Sequence, residues 1–348
     1  MKKIPIYLYT LFVLLSAIWG SLFIWVHQLA GLVCSILLIG VWWFAAGFVL
    51  YSMYRQLEFR HYMSYGYTAS FVAVLVLYFS LTPQNNRQWK PEVAKIINFR
   101  FVDGKVEIHN LRNFLWHSQK QYTTQWETRR YALEDLDQVD LIVSHFIPGP
   151  IAHAFISFGF KNGEHLAFSI EVRQEQHETF SILGGFFRQY ELAMVVGDEN
   201  DLIYTRSNIR DEDVYIYPIQ MNQTEIQMLF LEYLNTANRL NNHPRWYNTL
   251  LSNCTTILFD LSEHAMGTIP RDYRVILPGL LPQYLYDYRQ LDSKYSLQQW
   301  QDKAHVNPKT KDLKYGPDDL AQPFSELIRQ DLPRSTQTPS HATGRMKH

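Results

Sequence analysis

Hydrophobic and polar positions divide the chain into two unlike parts. No Asp, Glu, Lys or Arg lies between Lys3 and Arg55, and an apolar helix needs about 20 residues to cross the hydrocarbon core of a bilayer. The uncharged stretch is therefore long enough for two membrane spans. Polar side chains around His27 interrupt it, and this pattern predicts spans near residues 5–26 and 29–51.

A third apolar run, residues 66–82, ends at Pro83. Residues 1–83 are thus predicted to be a three-helix transmembrane anchor. A cleaved signal peptide is the alternative interpretation of the first run. A second span follows at once, and no clear small-residue cleavage site precedes it, so the pattern favours an anchor.

The orientation of these helices follows from the flanking basic residues, because cytoplasmic flanks are enriched in Lys and Arg. Lys2 and Lys3 precede the first span, and Arg55 and Arg60 lie between the second and the third. The turn between the first and second spans has no basic residue. This distribution predicts that the N-terminus is inside and that everything after residue 83 is outside.

Residues 84–300 are predicted to be one domain of mixed α and β structure. Apolar runs bounded by turn residues predict five strands, at 97–102, 105–109, 153–160, 164–173 and 212–219. A 3.6-residue apolar period predicts a helix over 223–240, which an Asn222 and Glu225 capping box begins. A second helix is predicted from about Ser252 to Met266. Residues 301–348 are polar and contain several Pro residues, and they are predicted to be a poorly ordered tail.

Composition excludes several classes of function. The formal net charge of -1 argues against a nucleic-acid binder, which usually has a basic face. The chain has no Gly-rich phosphate loop and no Cys-x-x-Cys motif, and its histidines lack the spacing of metal ligands. We therefore expect no metal and no organic cofactor. Of the two cysteines, Cys34 lies in an apolar run and Cys254 in the soluble part, so no disulfide framework is readable.

Cys254 follows a segment that can begin a helix. Ser252 or Asn253 can act as the N-cap, which places the thiol in the first helical turn. There the helix dipole favours the thiolate, which is the nucleophilic form of cysteine. The other interpretation is a small buried apolar residue, a common role for a free cysteine.

His153 stands at the start of a predicted strand and is the candidate general base; its alternative role is to hydrogen-bond the preceding loop. If residues 161–163 form a three-residue loop, Phe160 pairs with Glu164, and counting outward pairs His153 with Glu171. Glu171 could then orient the imidazole, as the acid does in a Cys-His-acid site.

Three alternatives to this arrangement stay open. A two-residue Asn-Gly loop would place Val172, not Glu171, opposite the histidine. His165 lies on the same strand face as His153 in the first register and is the rival orienting residue. Glu171 could also form only a surface ion pair with Arg173.

Several of these segments resemble the Lnb N-terminal periplasmic domain family. They are Ile151–Phe160 (IAHAFISFGF), Phe168–Arg173 (FSIEVR), Phe187–Glu191 (FRQYE) and Tyr247–Thr256 (YNTLLSNCTT). The resemblance covers roughly residues 87–265. It implies an α+β domain with an antiparallel sheet and packed helices, similar to a circularly permuted papain-like fold of the NlpC and lecithin:retinol acyltransferase kind.

In that permuted order the histidine precedes the cysteine, as His153 precedes Cys254 here. The lecithin:retinol acyltransferase group has a second histidine twelve positions after the first, and His165 has this spacing. The Ser-Ile-Glu-Val-Arg segment is closer to the Lnb family and favours Glu171 as the third member of the site.

The founding member of the family is a bacterial lipoprotein N-acyltransferase. The resemblance therefore implies acyl transfer through a thioester on Cys254, with a membrane lipid as acyl donor and the amine of a lipoprotein as acceptor. His153 would take the thiol proton. Backbone N–H groups near Cys254, helped by Tyr247 or Asn253, would form the oxyanion hole. The expected location is a bacterial inner membrane, with the soluble domain in the periplasm.

Two other functions are compatible with the same residues. One is a cysteine peptidase or amidase that acts on cell-wall peptide with water as the acceptor. The other is a non-catalytic binding module of the cell envelope. An apolar groove open toward the membrane would favour a lipid substrate, a polar cleft would favour peptidoglycan, and a blocked or missing Cys-His pair would favour the binding module.

Overall fold

The computed structural model describes residues 4–28, 31–313 and 324–333. The chain divides into two compact units. The first consists of residues 1–84, 178–191 and 246–249, and the second of residues 85–177, 192–245 and 250–348. Two short segments from the polar part of the sequence therefore group with the N-terminal helices.

The first unit contains three long helices and one short one: α1 (Ile4–His27), α2 (Leu32–Tyr54), α3 (Arg60–Ser80) and α4 (Ile182–Phe186). The first three are long and apolar enough to cross a membrane, as predicted. α3 begins before the predicted run of residues 66–82. Residues 29–30, at the predicted start of the second span, lie outside the described part of the chain.

Small side chains and hydroxyl groups join these helices. Ala17 of α1 and Ala46 of α2 are buried where the helices pack, together with Tyr67 of α3. The Ser16 and Tyr67 hydroxyls are 3.0 Å apart, and the Tyr9 hydroxyl donates to the Ser64 carbonyl at 2.9 Å. Such bonds give polar groups a partner in apolar surroundings and hold the helices together.

The second unit is built on ten strands among the described residues: β1 (Asn98–Val102), β2 (Lys105–Arg112), β3 (Leu115–Ser118), β4 (Gln121–Thr123), β5 (Trp126–Tyr131), β6 (Leu136–His145), β7 (His153–Phe160), β8 (His165–Arg173), β9 (Glu191–Asp198) and β10 (Asp213–Pro218). Its helices are α5 (Glu199–Leu202), α6 (Gln223–Asn242), α7 (Cys254–Met266), α8 (Leu281–Asp287), α9 (Leu297–Ala304), α10 (Asn307–Thr310) and α11 (Phe324–Ile328). The unit is thus an α+β domain.

One large sheet has the strand order β1-β2-β9-β8-β7-β6-β10, with β5 beside β2, and β3 and β4 form a separate hairpin. The resemblance implied an antiparallel sheet, but the sheet is mixed. Strands β2 and β9 run parallel where Arg112 pairs with Gly197. Glycine permits this contact, since a Cβ at position 197 would collide with the Arg112 carbonyl.

Helices α6 and α7 pack together, and α7 lies on β7 and β8. The predicted capping box of α6 is present: Asn222 accepts from the Glu225 amide at 3.0 Å, and the Glu225 carboxylate accepts from the Asn222 amide at 2.9 Å. The Phe230 ring packs edge-to-face on Phe158 and Phe168, with centroids 5.1 and 5.5 Å apart. These rings form the core between α6 and the β7–β8 hairpin.

The C-terminal residues differ from the predicted poorly ordered tail. Ala304 is buried in α9, and Phe324 and Ile328 are buried in α11. The helices here have four to eight residues. Helices this short have too few turns for an apolar period to be visible in the sequence. Residues 314–323 and 334–348 of the predicted tail lie outside the described residues.

Candidate active site

His153 is the first residue of β7, where it pairs with Ser144 of β6. On the other side of β7, the Phe160 amide donates to the Glu164 carbonyl at 2.9 Å, and Gly163 has the left-handed φ of 86°. The loop therefore has three residues, and the two-residue alternative with Val172 opposite is wrong. Continued from the Ile156–Phe168 pair, the register places Glu171 opposite His153.

Cys254 is the first residue of α7 and is only 7 % exposed. Asn253 is the N-cap, and its side-chain oxygen accepts from the amides of Thr255 at 3.0 Å and Thr256 at 2.9 Å. The Thr256 hydroxyl in turn accepts from the Asn253 amide at 2.9 Å. This capping box fixes the thiol in the first turn, where the helix dipole stabilises negative charge.

The structure brings the Cys254 thiol and the His153 imidazole together, so that the charge of each acts on the other. Burial alone would raise the pKa of the Cys254 thiol, but the adjacent His153 charge outweighs burial and lowers it. Burial and Arg206 oppose protonation of His153, yet Glu171 and the Cys254 thiolate raise its pKa to about 9. These directions favour a thiolate–imidazolium pair.

A serine hydroxyl lies between the imidazole and the predicted acid. The His153 Nε2 atom is 2.8 Å from the Ser169 hydroxyl, which donates to the Glu171 Oε1 atom at 2.6 Å. The direct distance from His153 Nε2 to Glu171 Oε1 is 3.5 Å. Because Ser169 gives its proton to Glu171, it accepts from Nε2–H. The other ring nitrogen, Nδ1, is then the one left for the thiol.

Arg206 binds the carboxylate of Glu171. Arg206 donates to Glu171 at 2.7 Å and to Glu212 at 3.2 Å, and its guanidinium is almost fully buried. Burial would raise the pKa of the Glu171 carboxyl, but Arg206 and His153 hold that pKa well below its usual range. Glu171 is therefore ionised, and Arg206 anchors it. The guanidinium of Arg173, which was considered as a surface partner of Glu171, donates to Asn85 and to the Val93 carbonyl.

The other predicted residues lie elsewhere. His165 pairs with Gly159 near the hairpin loop, and its Nδ1 atom is 3.0 Å from the Gly163 carbonyl, so the contacts described for it do not involve the His153 ring. Tyr247 belongs to the first unit, where its amide donates to the Tyr190 carbonyl at 2.9 Å. Its role in an oxyanion hole stays a prediction. Asn253 serves as the cap of α7.

Sequence reasoning missed Ser169 and Arg206. Ser169 could have been found, because it is two residues before Glu171 and so lies on the same face of β8. Arg206 carries no such signal, since it belongs to a π-helical turn, Thr205–Ile209, that no periodicity predicts. Within residues 4–28, 31–313 and 324–333, no group of three or more His, Cys, Asp or Glu side chains could hold a metal ion.

No curated protein and no solved structure matches the chain. One family model does match, over residues 122–279, and this range includes His153, Ser169, Glu171 and Cys254. Together with the three apolar helices, the match indicates a membrane protein with a periplasmic domain. The family that residues 122–279 match is the Lnb N-terminal periplasmic domain.

Proposed function

We propose that this protein is a membrane-anchored thiol acyltransferase that N-acylates bacterial lipoproteins from a lipid ester donor. The observation that carries the proposal is the Cys254 thiol, placed at the start of α7 beside a histidine that a serine and an ionised carboxylate orient. A nucleophile, a base and an orienting group in this order are what a covalent acyl transfer needs. The resemblance to the Lnb N-terminal periplasmic domain family implies the same chemistry.

In the first half-reaction the Cys254 thiolate attacks the ester carbonyl of the lipid. The tetrahedral intermediate collapses to a thioester on Sγ, and the His153 imidazolium protonates the departing lipid alkoxide. The Thr255 and Thr256 amides already donate to Asn253. We therefore assign the developing oxyanion to the Cys254 amide, the first N–H of the helix, where the dipole is strongest.

In the second half-reaction the neutral His153 takes a proton from the lipoprotein amine as the amine attacks the thioester. Collapse of this intermediate gives the amide and returns the thiolate, so atoms and charge balance without a cofactor. The serine and Glu171 keep the Nε2 proton in place. The Nδ1 atom is then the one that gives a proton to the departing alkoxide and takes a proton from the attacking amine.

Three spans place the N-terminus and the second unit on opposite sides of a membrane. With the basic residues Lys2, Lys3, Arg55 and Arg60 on the cytoplasmic side, the second unit faces the periplasm of a bacterial inner membrane. A domain held there meets lipid esters and lipoprotein N-termini by diffusion in one plane.

A specific feature favours amide hydrolysis of a peptide as a second candidate. A cleft of about 620 Å³ is lined by the loop that leads to His153 and by polar and aromatic side chains. Asp213, Tyr215 and His305 are among them, and His305 Nε2 is 2.6 Å from the Asp213 carboxylate. A cleft with polar side chains is the feature expected of an enzyme that acts on cell-wall peptide.

Mass spectrometry of lipoprotein N-termini separates the two candidates. Cells that make the full chain should carry one more acyl group, in amide linkage, than cells that make Cys254→Ser. Unchanged N-termini together with cleaved cell-wall peptide in the wild type would support hydrolysis and overturn the transfer.

A further inference from the structure

We propose that residues 180–188, between β8 and β9, form an interfacial segment that inserts apolar side chains into the lipid where α1 and α3 end. The inference concerns the first unit alone and is independent of the chemistry proposed for Cys254.

Polar and aromatic contacts bind this interfacial segment to the last turns of both helices. His27, the last residue of α1, donates from Nε2 to the Phe187 carbonyl at 2.7 Å. The Phe187 ring lies 5.4 Å from the Trp19 ring. The Arg188 guanidinium lies over the Tyr78 ring of α3 at 4.5 Å and donates to the Tyr78 carbonyl at 3.2 Å. The segment is therefore level with the end of the helix bundle.

Hydrogen bonds order this interfacial segment. The Tyr190 hydroxyl donates to the Thr179 carbonyl at 2.7 Å and accepts from the Ser181 amide at 2.9 Å. Arg188 holds a left-handed φ of 57°, an uncommon conformation that its surroundings must impose. Thr249 donates to the Ile182 carbonyl at 3.0 Å, and Thr249 precedes Cys254 by five residues in the sequence.

Three apolar side chains of this ordered segment point away from the protein. Phe180 is 49 % exposed, Ile182 is 53 % exposed and Leu183 is 39 % exposed. On the opposite side of α4, Gly184 and Gly185 allow the helix to pack closely, since a Cβ at either would collide with Tyr190 or with Thr249. A short helix that packs through glycines and exposes Ile and Leu is shaped to present these two residues outward.

Lipid is the occupant that fits this surface. The exposed side chains continue the apolar surface of α3, where Leu77 is 53 % exposed. Around them stand Trp19, His27, Tyr78 and Arg188. Aromatic and basic residues with this arrangement are typical of the boundary between lipid head groups and acyl chains. A bilayer that surrounds α3 therefore reaches the segment as well.

Spin-label accessibility tests the proposal on the full chain. In a Cys34→Ser, Cys254→Ser background, a nitroxide is attached to Ile182→Cys, and the protein is reconstituted in phosphatidylethanolamine and phosphatidylglycerol vesicles. Leu77→Cys is the lipid-facing reference. Phe101→Cys is the matched control, because Phe101 is an exposed apolar residue of β1 in the second unit.

We expect the ratio of oxygen to nickel-chelate collisions at position 182 to equal that at 77 and to exceed that at 101. A ratio at 182 equal to that at 101 would place the segment in water. Protection from both reagents would mean that a protein covers it. Either result overturns the proposal, and if Ile182→Cys does not accumulate, Leu183→Cys provides the same comparison.

Discussion

The charge on His153 depends on the groups at its two nitrogens. Burial and Arg206 disfavour the imidazolium, but the Glu171 carboxylate and the Cys254 thiolate raise the pKa of His153 to about 9. The same imidazolium lowers the pKa of the Cys254 thiol. Both shifts favour the ion pair over the neutral pair at neutral pH, so the nucleophile is prepared before the substrate binds.

Thiol alkylation should report this ion pair. In a Cys34→Ser background, the rate with iodoacetamide should reach half its maximum below the ordinary thiol pKa, and His153→Ala should move that midpoint upward, because the positive charge that lowers the thiol pKa is then absent. The rate is measured from about pH 5 to about pH 10, a range that brackets thiol titration. Equal midpoints in the two proteins would contradict the pairing.

Acyl transfer should have a different alkaline limit from alkylation. A group whose pKa is raised in the folded state stabilises the fold below its unfolded pKa, and this contribution is lost as the pH rises through the folded pKa. For His153 the loss centres on about 9. Transfer should decline above that pH because the imidazolium that protonates the departing alkoxide is lost, while alkylation stays high because the thiolate persists. Parallel declines would show that the fold, not the imidazolium, fails.

Ser169 should act as a positioning residue. Ser169→Ala removes the bridge from His153 to Glu171 and leaves their atoms 3.5 Å apart. We expect a loss of kcat of about tenfold, which is 1.4 kcal/mol, with an altered pH profile and little change in KM. Glu171→Gln should also be milder than loss of Cys254. Ser169→Thr keeps the hydroxyl, so its pH profile of kcat should match that of the wild type. A Ser169→Thr protein with the pH profile of Ser169→Ala would show that the side chain acts through packing.

The loop length and the alternation of the strand predicted that Glu171 lies opposite His153. The capping residue predicted that Cys254 lies in the first turn of a helix. The serine between them was missed because the counting considered only residues directly opposite. A diagonal neighbour on the same face is still within reach of a long side chain. Arg206 comes from an irregular turn, for which no such counting exists.

Among the helices and strands, α7 depends most on its first residue. Asn253 bonds two amides of the first turn and orients the thiol that follows it. Replacing a capping Asn by Ala costs about 1 kcal/mol. Asn253→Ala should therefore lower Tm by about 2–4 °C, the usual change per kcal/mol in a domain of this size.

Asn253→Asp is the control for this change, because a carboxylate also caps and adds favourable charge at the helix start. Thermal unfolding of the full chain in detergent, followed by circular dichroism, measures both variants. If the Tm of Asn253→Ala equals that of the wild type, the cap does not stabilise α7.

Strand predictions succeeded where a glycine turn signal joins two strands, and they failed for β3, β4, β5, β6 and β9. Asp103-Gly104 and Lys161-Asn162-Gly163 are turn signals, and the strands beside them were predicted within a few residues. β6 and β9 were missed. Most of their residues are buried on both faces, so neither strand shows the alternation of apolar and polar side chains that predicts a strand.

In the complete chain, the C-terminal residues stabilise the sheet from a distance in sequence. Arg329 donates to Glu199 at 2.7 Å and to Asp140 at 3.1 Å, and both carboxylates are fully buried. Burial would raise the pKa of Glu199, but Arg329 lowers it to about 2. No pattern in the sequence predicts this contact, because an ion pair across 130 residues leaves no periodic signal.

Removing this arginine should destabilise the second unit strongly. Arg329→Met leaves two buried carboxylates without a cation, and breaking a buried pair costs about 3–5 kcal/mol. The control is Arg271→Met, which breaks a partly exposed pair with Glu263, and such pairs contribute about 0–1 kcal/mol. Thermal unfolding compares the two. Equal effects would show that the Arg329 contact is unimportant.

Acyl transfer through Cys254 is tested most directly by trapping the thioester. The full chain is reconstituted with phospholipid that carries isotopically heavy acyl chains and with no amine acceptor, and the Cys254 peptide is then analysed by mass spectrometry. We expect a heavy acyl group on Cys254 that neutral hydroxylamine removes, and none in His153→Ala. Cys254→Ser should lose transfer yet fold, because single changes usually cost about 0.5–3 kcal/mol. An unmodified Cys254 peptide, with full lipoprotein acylation by Cys254→Ser, would contradict the mechanism.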